Sequence, residues 1–96
     1  MLFKNKEEIQ ELGFYNKTPH RQIYHNSIYP YLMEISFEYD EHEYDRLKER
    51  IIIWKPELSR INQEPILFRG PDAEIIISGL NLTKEEVKQA IEQYGN

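Results

Sequence analysis

Eight residues near the middle of the chain, Glu38 to Asp45, carry the side chains that a chemical site would use. The stretch reads EYDEHEYD and contains five acids, one histidine and two tyrosines. Carboxylates and imidazoles bind metals and transfer protons, and a dense set of acids also attracts basic partners. Three interpretations follow: a metal or catalytic centre, an acidic surface that binds a protein or imitates nucleic acid, and a junction between two elements of secondary structure.

The spacing of these residues does not match the motifs of metal or catalytic sites. His42 begins HEYDR, whereas the zinc motif HExxH needs a second imidazole at the position that Arg46 occupies. Glu34 and Glu38 fall on the solvent side of a predicted strand, whereas an acid–base pair needs a cleft that separates the two pKa values. We therefore assign no catalytic residue, no metal ligand and no cofactor. A small enzyme or metal protein using His42 or a carboxylate pair stays as an alternative.

The residue pattern around this stretch favours a strand followed by a helix. Apolar and polar residues alternate over 31–40, which predicts a half-buried strand with Tyr39 pointing inward and Glu38 outward. Asp40 and Glu43 have the types and spacing of a capping box, which predicts a helix over 41–51. Residues 51–55 stay undecided between helix and strand, because three successive isoleucines favour a strand.

A helix cap needs only one or two acids, so capping alone does not explain the number of acids in this stretch. No lysine or arginine occurs between Arg21 and Arg46. We expect an acidic surface, edged by tyrosine, that binds a basic protein. Its predicted residues are Glu34, Glu38, Tyr39, Asp40, Glu41, His42, Glu43 and Asp45.

The remaining segments predict an α+β domain that spans residues 1–96. Asn5 and Gly13 bracket a short N-terminal helix, and Thr83 with Glu86 forms the capping box of a C-terminal helix. A hairpin is predicted before residue 40, and two more strands are predicted around the turn at 70–72. We expect a mainly antiparallel sheet of three to five strands, with a short N-terminal helix, a middle helix and a capped C-terminal helix packed on it.

Composition narrows the functional classes. The chain has 96 residues, a net charge of −5, no cysteine and no long apolar run. We expect a cytoplasmic protein without direct contact to nucleic acid or membrane, because a basic stripe and a spanning segment are both missing from the sequence. The favoured function is a non-enzymatic interaction module of the inhibitor, immunity or adaptor type. A nucleic-acid mimic that blocks a DNA- or RNA-binding enzyme is an alternative, and a homodimer is compatible with the apolar segments.

Overall fold

In the part of the chain that the structure describes, five antiparallel strands form one open sheet and lie in the same order as in the sequence. A computed structural model of the protein describes residues 1–17, 22–39, 41–42 and 46–94. The elements are a 3₁₀ helix (Leu2–Lys4), α1 (Lys6–Glu11), β1 (Phe14–Tyr15), β2 (Ile23–Asn26), β3 (Leu32–Tyr39), β4 (Leu47–Lys55), β5 (Glu74–Leu80) and α2 (Lys84–Tyr94). The predicted α+β class, with an antiparallel sheet and helices near both ends of the chain, is confirmed.

Both predicted helix caps form as expected. The Asn5 side chain accepts a hydrogen bond from the backbone N–H of Glu8 at 3.4 Å, and Gly13 closes α1 with φ of +90°, a conformation that glycine adopts without strain. At α2, the Glu86 N–H donates to the Thr83 hydroxyl and the Thr83 N–H donates to the Glu86 carboxylate, both at 3.2 Å. These reciprocal bonds satisfy amides that the first helical turn leaves unpaired.

The core lies on one face of the sheet, beneath the two helices and the N-terminal segment. On β3 and β4 it is built from Met33, Ile35, Ile51 and Ile53, all fully buried. The helices and the N-terminal segment contribute Leu2, Ile9, Leu12, Val87 and Ile91. We call this face the core face and the opposite face the outer face.

The predicted middle helix over 41–51 is wrong in the described residues. From Leu47 onward the chain is β4, which runs to Lys55 and pairs with β3 over eight positions. Residues 51–55, undecided from the sequence, are therefore strand. Isoleucines at alternate positions pack on the core face, and this tertiary contact outweighs the helical spacing of Leu47, Ile51 and Trp54. The proposed capping residues Asp40 and Glu43 lie outside the described residues.

The segment between β4 and β5 departs from the prediction of two strands around residues 70–72. The turn itself forms, with the Ala73 N–H donating to the Gly70 carbonyl at 3.2 Å, but only the following segment is a strand. Residues 56–73 connect β4 to β5 and contact the outer face through Arg69. Among the described strands, β5 lies at one edge of the sheet. A register shift beside Trp54 lets both Ile76 and Ile77 pack against the core.

Candidate functional site

In the part of the chain that the structure describes, β3 and β4 run past their neighbouring strands at one end of the sheet. In the described part of the chain, the last backbone hydrogen bonds to a neighbouring segment are made by Ile35 in β3 and by Glu49 in β4. Beyond these positions the two strands pair with each other as far as Tyr39 and Leu47. The molecule measures 46 Å by 26 Å by 23 Å along its principal axes. We call this end the β3–β4 arm and define it as Glu38, Tyr39, Glu41, His42, Leu47 and Lys48.

Two glutamates of the predicted acidic surface are paired with arginines. A carboxylate oxygen of Glu38 lies 2.9 Å from a guanidinium nitrogen of Arg50, and one of Glu34 lies 3.4 Å from Arg69. These bases come from β4 and from the β4–β5 connection, so the long interval without lysine or arginine in the sequence is not an uncompensated region in space. The outer side of β3 is therefore less negative than its sequence suggests.

Tyr39 is an exposed tyrosine of the arm, which corrects its predicted inward position. Its side chain lies on the core-face side of β3 but beyond the core, and it is 73% exposed. Its cross-strand partner Leu47 is also exposed. An aromatic and an aliphatic side chain at the end of a two-stranded ribbon offer apolar contact area at low cost in conformational entropy.

The connection at the end of the arm is the densest acidic segment of the chain. Residues 40–45 include four acids and no lysine or arginine. Glu41 and His42 are exposed, and Glu41 has no ion-pair partner among the described residues. The other predicted site residues of this segment are Asp40, Glu43 and Asp45, which lie outside the described residues. The structure thus brings Tyr39, Glu41 and His42 to one end of the molecule and leaves Glu34 away from it, beside Arg69.

The described histidines do not converge on a site. His25 lies in β2 with its ring stacked on Tyr15, the two centroids 5.8 Å apart, whereas His42 lies on the arm. Burial and, to a smaller extent, the charge of Lys17 lower the pKa of His25, against an opposing effect of Glu64. Within residues 1–17, 22–39, 41–42 and 46–94, no three histidine or carboxylate side chains are grouped so as to hold a metal ion.

Glu49 is a buried carboxylate that sequence reasoning missed. It is 0% exposed, and its two oxygens accept hydrogen bonds from the backbone N–H groups of Leu2 at 3.0 Å and Phe3 at 2.8 Å. The pKa of Tyr24 is raised, first by the burial of its own hydroxyl and second by the nearby charge of Glu49. Because both oxygens serve the backbone of the 3₁₀ helix, the role of Glu49 is to attach the N-terminal segment to the sheet.

A second surface feature lies at the far end of β4, on the outer face. A cleft of about 290 Å³ is lined by Trp54, Pro56, Ile66, Phe68 and Pro71, among other residues. Trp54 is 1% exposed, and the Arg69 guanidinium lies 5.5 Å from its ring centroid. The indole nitrogen of Trp54 is buried and has no hydrogen-bond partner in the described structure. Nothing in the sequence pattern indicated this cleft.

Comparisons with protein-family models, with curated proteins and with solved structures gave no match. Function is therefore inferred from the side chains of this chain alone. Among the described residues, no helix has the length and apolar character needed to cross a membrane.

Proposed function

We propose that the chain is a non-enzymatic protein-interaction module, of the inhibitor, immunity or adaptor type, that presents the β3–β4 arm to a basic surface of a partner protein. The observation that carries this proposal is the position of Tyr39. It is 73% exposed at the end of a ribbon that extends past the other described strands, directly before the acidic segment 40–45. Tyrosine anchors surrounded by charged residues are characteristic of protein interfaces.

Charge supports a basic partner at this end of the molecule. The protein has a net charge of −5, and four of its acids fall in residues 40–45. Acids at the rim of an interface accelerate association with a basic surface and contribute less to the final affinity. The tyrosine supplies the binding energy in this proposal, and the acids supply the choice of partner and the salt dependence.

The same geometry supports a protein module over the two alternatives. A nucleic-acid mimic needs acids spread along a surface, whereas Glu34 and Glu38 are neutralised by Arg69 and Arg50. A catalytic or metal site needs convergent titratable groups, and among the described residues no three histidine or carboxylate side chains are grouped so as to hold a metal ion.

The test compares two baits with matched substitutions in a lysate of the source organism. The arm variant carries Tyr39→Ser and Glu41→Gln. The control variant carries Tyr15→Ser and Glu85→Gln, which remove the same side chains from other exposed positions. We expect a partner that the wild type and the control recover equally and that binds the arm variant about thirtyfold more weakly, since a tyrosine anchor contributes about 2 kcal/mol or more.

Two further observations decide the class of partner. Recovery that falls when the salt concentration is raised from about 0.05 M to about 0.5 M supports a basic partner surface. Release of the partner by duplex DNA would instead support the mimic. Equal recovery by both double variants, with both folded by circular dichroism, would contradict the arm as the binding site.

A further inference from the structure

The Trp54 cleft has the composition of a pocket for a single large apolar side chain. Pro56, Ile66, Phe68 and Pro71 give it apolar walls, and Phe68 is 79% exposed beside it. Its volume of about 290 Å³ lies just below the range of small-molecule sites, which span about 300–1,000 Å³. The cleft therefore suits one side chain of a larger partner better than a complete small ligand.

The indole of Trp54 adds a polar requirement to this apolar cleft. Nearly all buried donors in folded proteins have an acceptor, whereas the Trp54 nitrogen has none in the described structure. The residue is among those that line the cleft. An acceptor brought by a ligand, such as a backbone carbonyl, would complete this donor. Because the nitrogen is shielded from water, binding requires a shift of the neighbouring segment 66–73, which contains neither helix nor strand and whose Gly70 has open space around it.

Charges near the cleft select the flanking residues of a ligand. Lys55 lines the cleft together with two acids, so the charged side chains of its lining sum to −1. Glu57 and Asp72 also line the cleft, and neither has an ion-pair partner among the described residues. The local surplus is negative, which favours a ligand with a basic residue beside its apolar side chain.

We infer that the Trp54 cleft binds an extended peptide segment of a partner protein. The segment inserts one large apolar side chain against Phe68 and Ile66, accepts a hydrogen bond from the Trp54 indole through a backbone carbonyl, and carries a lysine or arginine beside that side chain. The exposed Leu58 and Ile61, the latter 96% exposed, extend the apolar surface of the same connection. This second docking surface goes beyond the proposed function, because Trp54 lies six residues along β4 from the arm residue Lys48, about 20 Å away.

The test selects peptides from a random nine-residue library displayed on phage and then measures where they bind. The enriched peptides should share a Leu, Ile, Met or Phe with a lysine or arginine near it. Trp54 is the single tryptophan, so its indole N–H gives one proton–nitrogen resonance. Saturating amounts of a selected synthetic peptide should move this resonance downfield, as expected for a newly formed hydrogen bond.

Matched variants separate this cleft from other sites. Phe68→Ser should weaken peptide binding by about tenfold or more. Ile28→Ser changes another exposed apolar side chain, 67% exposed against 79% for Phe68, at a position that does not line the cleft, and it should change binding by less than about twofold. Both positions are exposed, so both variants should fold. An unmoved indole resonance, equal binding by Phe68→Ser and the wild type, or a library without enrichment would overturn the inference. None of these outcomes depends on the arm.

Discussion

Replacement of the buried Glu49 should cause a large loss of stability, and the structure allows its size to be estimated. Its two oxygens accept hydrogen bonds from the N–H groups of Leu2 and Phe3. Hydrogen bonds to a charged group contribute about 1.5–3 kcal/mol each, which gives about 3–6 kcal/mol as an upper range. Detachment of the 3₁₀ helix would let water satisfy these amides, at the loss of about 1.5–3 kcal/mol from burial of Leu2.

We therefore expect Glu49→Ala to lower the free energy of unfolding by about 3 kcal/mol. The loss stays near the lower end of the range because the 3₁₀ helix detaches when this costs less than leaving its two amides unpaired. Glu49→Gln keeps one acceptor but turns an NH₂ group toward the second backbone N–H, so it should cost about 2 kcal/mol. Urea unfolding followed by fluorescence of the single tryptophan, Trp54, measures both values.

Glu92→Gln is the matched control, because it removes the same charge from an exposed position on α2 and should change stability by less than about 0.5 kcal/mol. If the Glu49→Gln variant has the same free energy of unfolding as the Glu92→Gln variant, the assigned role of the Glu49 carboxylate is refuted. Hydrogen exchange gives a second check, since the Leu2 and Phe3 amides should lose protection in the Glu49 variants and keep it in the control.

Two other perturbations follow from the described contacts. Gly13→Ala should lower the free energy of unfolding, measured by urea titration, by about 1–3 kcal/mol. The reason is that φ at this position is +90° and the added Cβ would lie 3.0 Å from Asn26 Oδ1. Unchanged stability would contradict the need for glycine at this turn. The pKa of His25 is lowered below its ordinary 6.5, mainly by burial, so the unfolded chain binds more protons and stability should fall as pH decreases from 6.5 to about 5.5. His25→Gln should show a smaller fall over that interval, and an identical pH profile would contradict it.

Features specified by neighbouring residues could be predicted from the sequence. Asn5, Gly13, Thr83 and Glu86 act within one helical turn, and each occupies its predicted capping position. The alternation in β3 also predicted a strand, because buried and exposed positions follow the pleat directly. On the inward side of this strand the predicted burial was wrong only at Tyr39, because the strand continues there past the core that would have covered the side chain.

Features that depend on distant residues could not be predicted in this way. Glu49 places a charge at a buried position of β4, and this charge hid the alternation of apolar and polar residues in that strand. Its carboxylate is buried because it accepts hydrogen bonds from N-terminal amides some 47 positions earlier in the chain. The partners of Glu34 and Glu38 lie 35 and 12 residues along the chain, so the sequence overstated the acidity of this side of β3. The Trp54 cleft likewise arises where residues 66–73 meet the end of β4.

Chemical-shift mapping of the isotope-labelled chain with the captured partner tests the proposed function most directly. The β3–β4 arm predicts the largest shifts or line broadening at the backbone amides of Glu38, Tyr39, Glu41, His42, Leu47 and Lys48. Unperturbed arm amides, together with shifts confined to α2 or to the Trp54 indole and its surroundings, would contradict the arm as the surface that this protein presents to its partner.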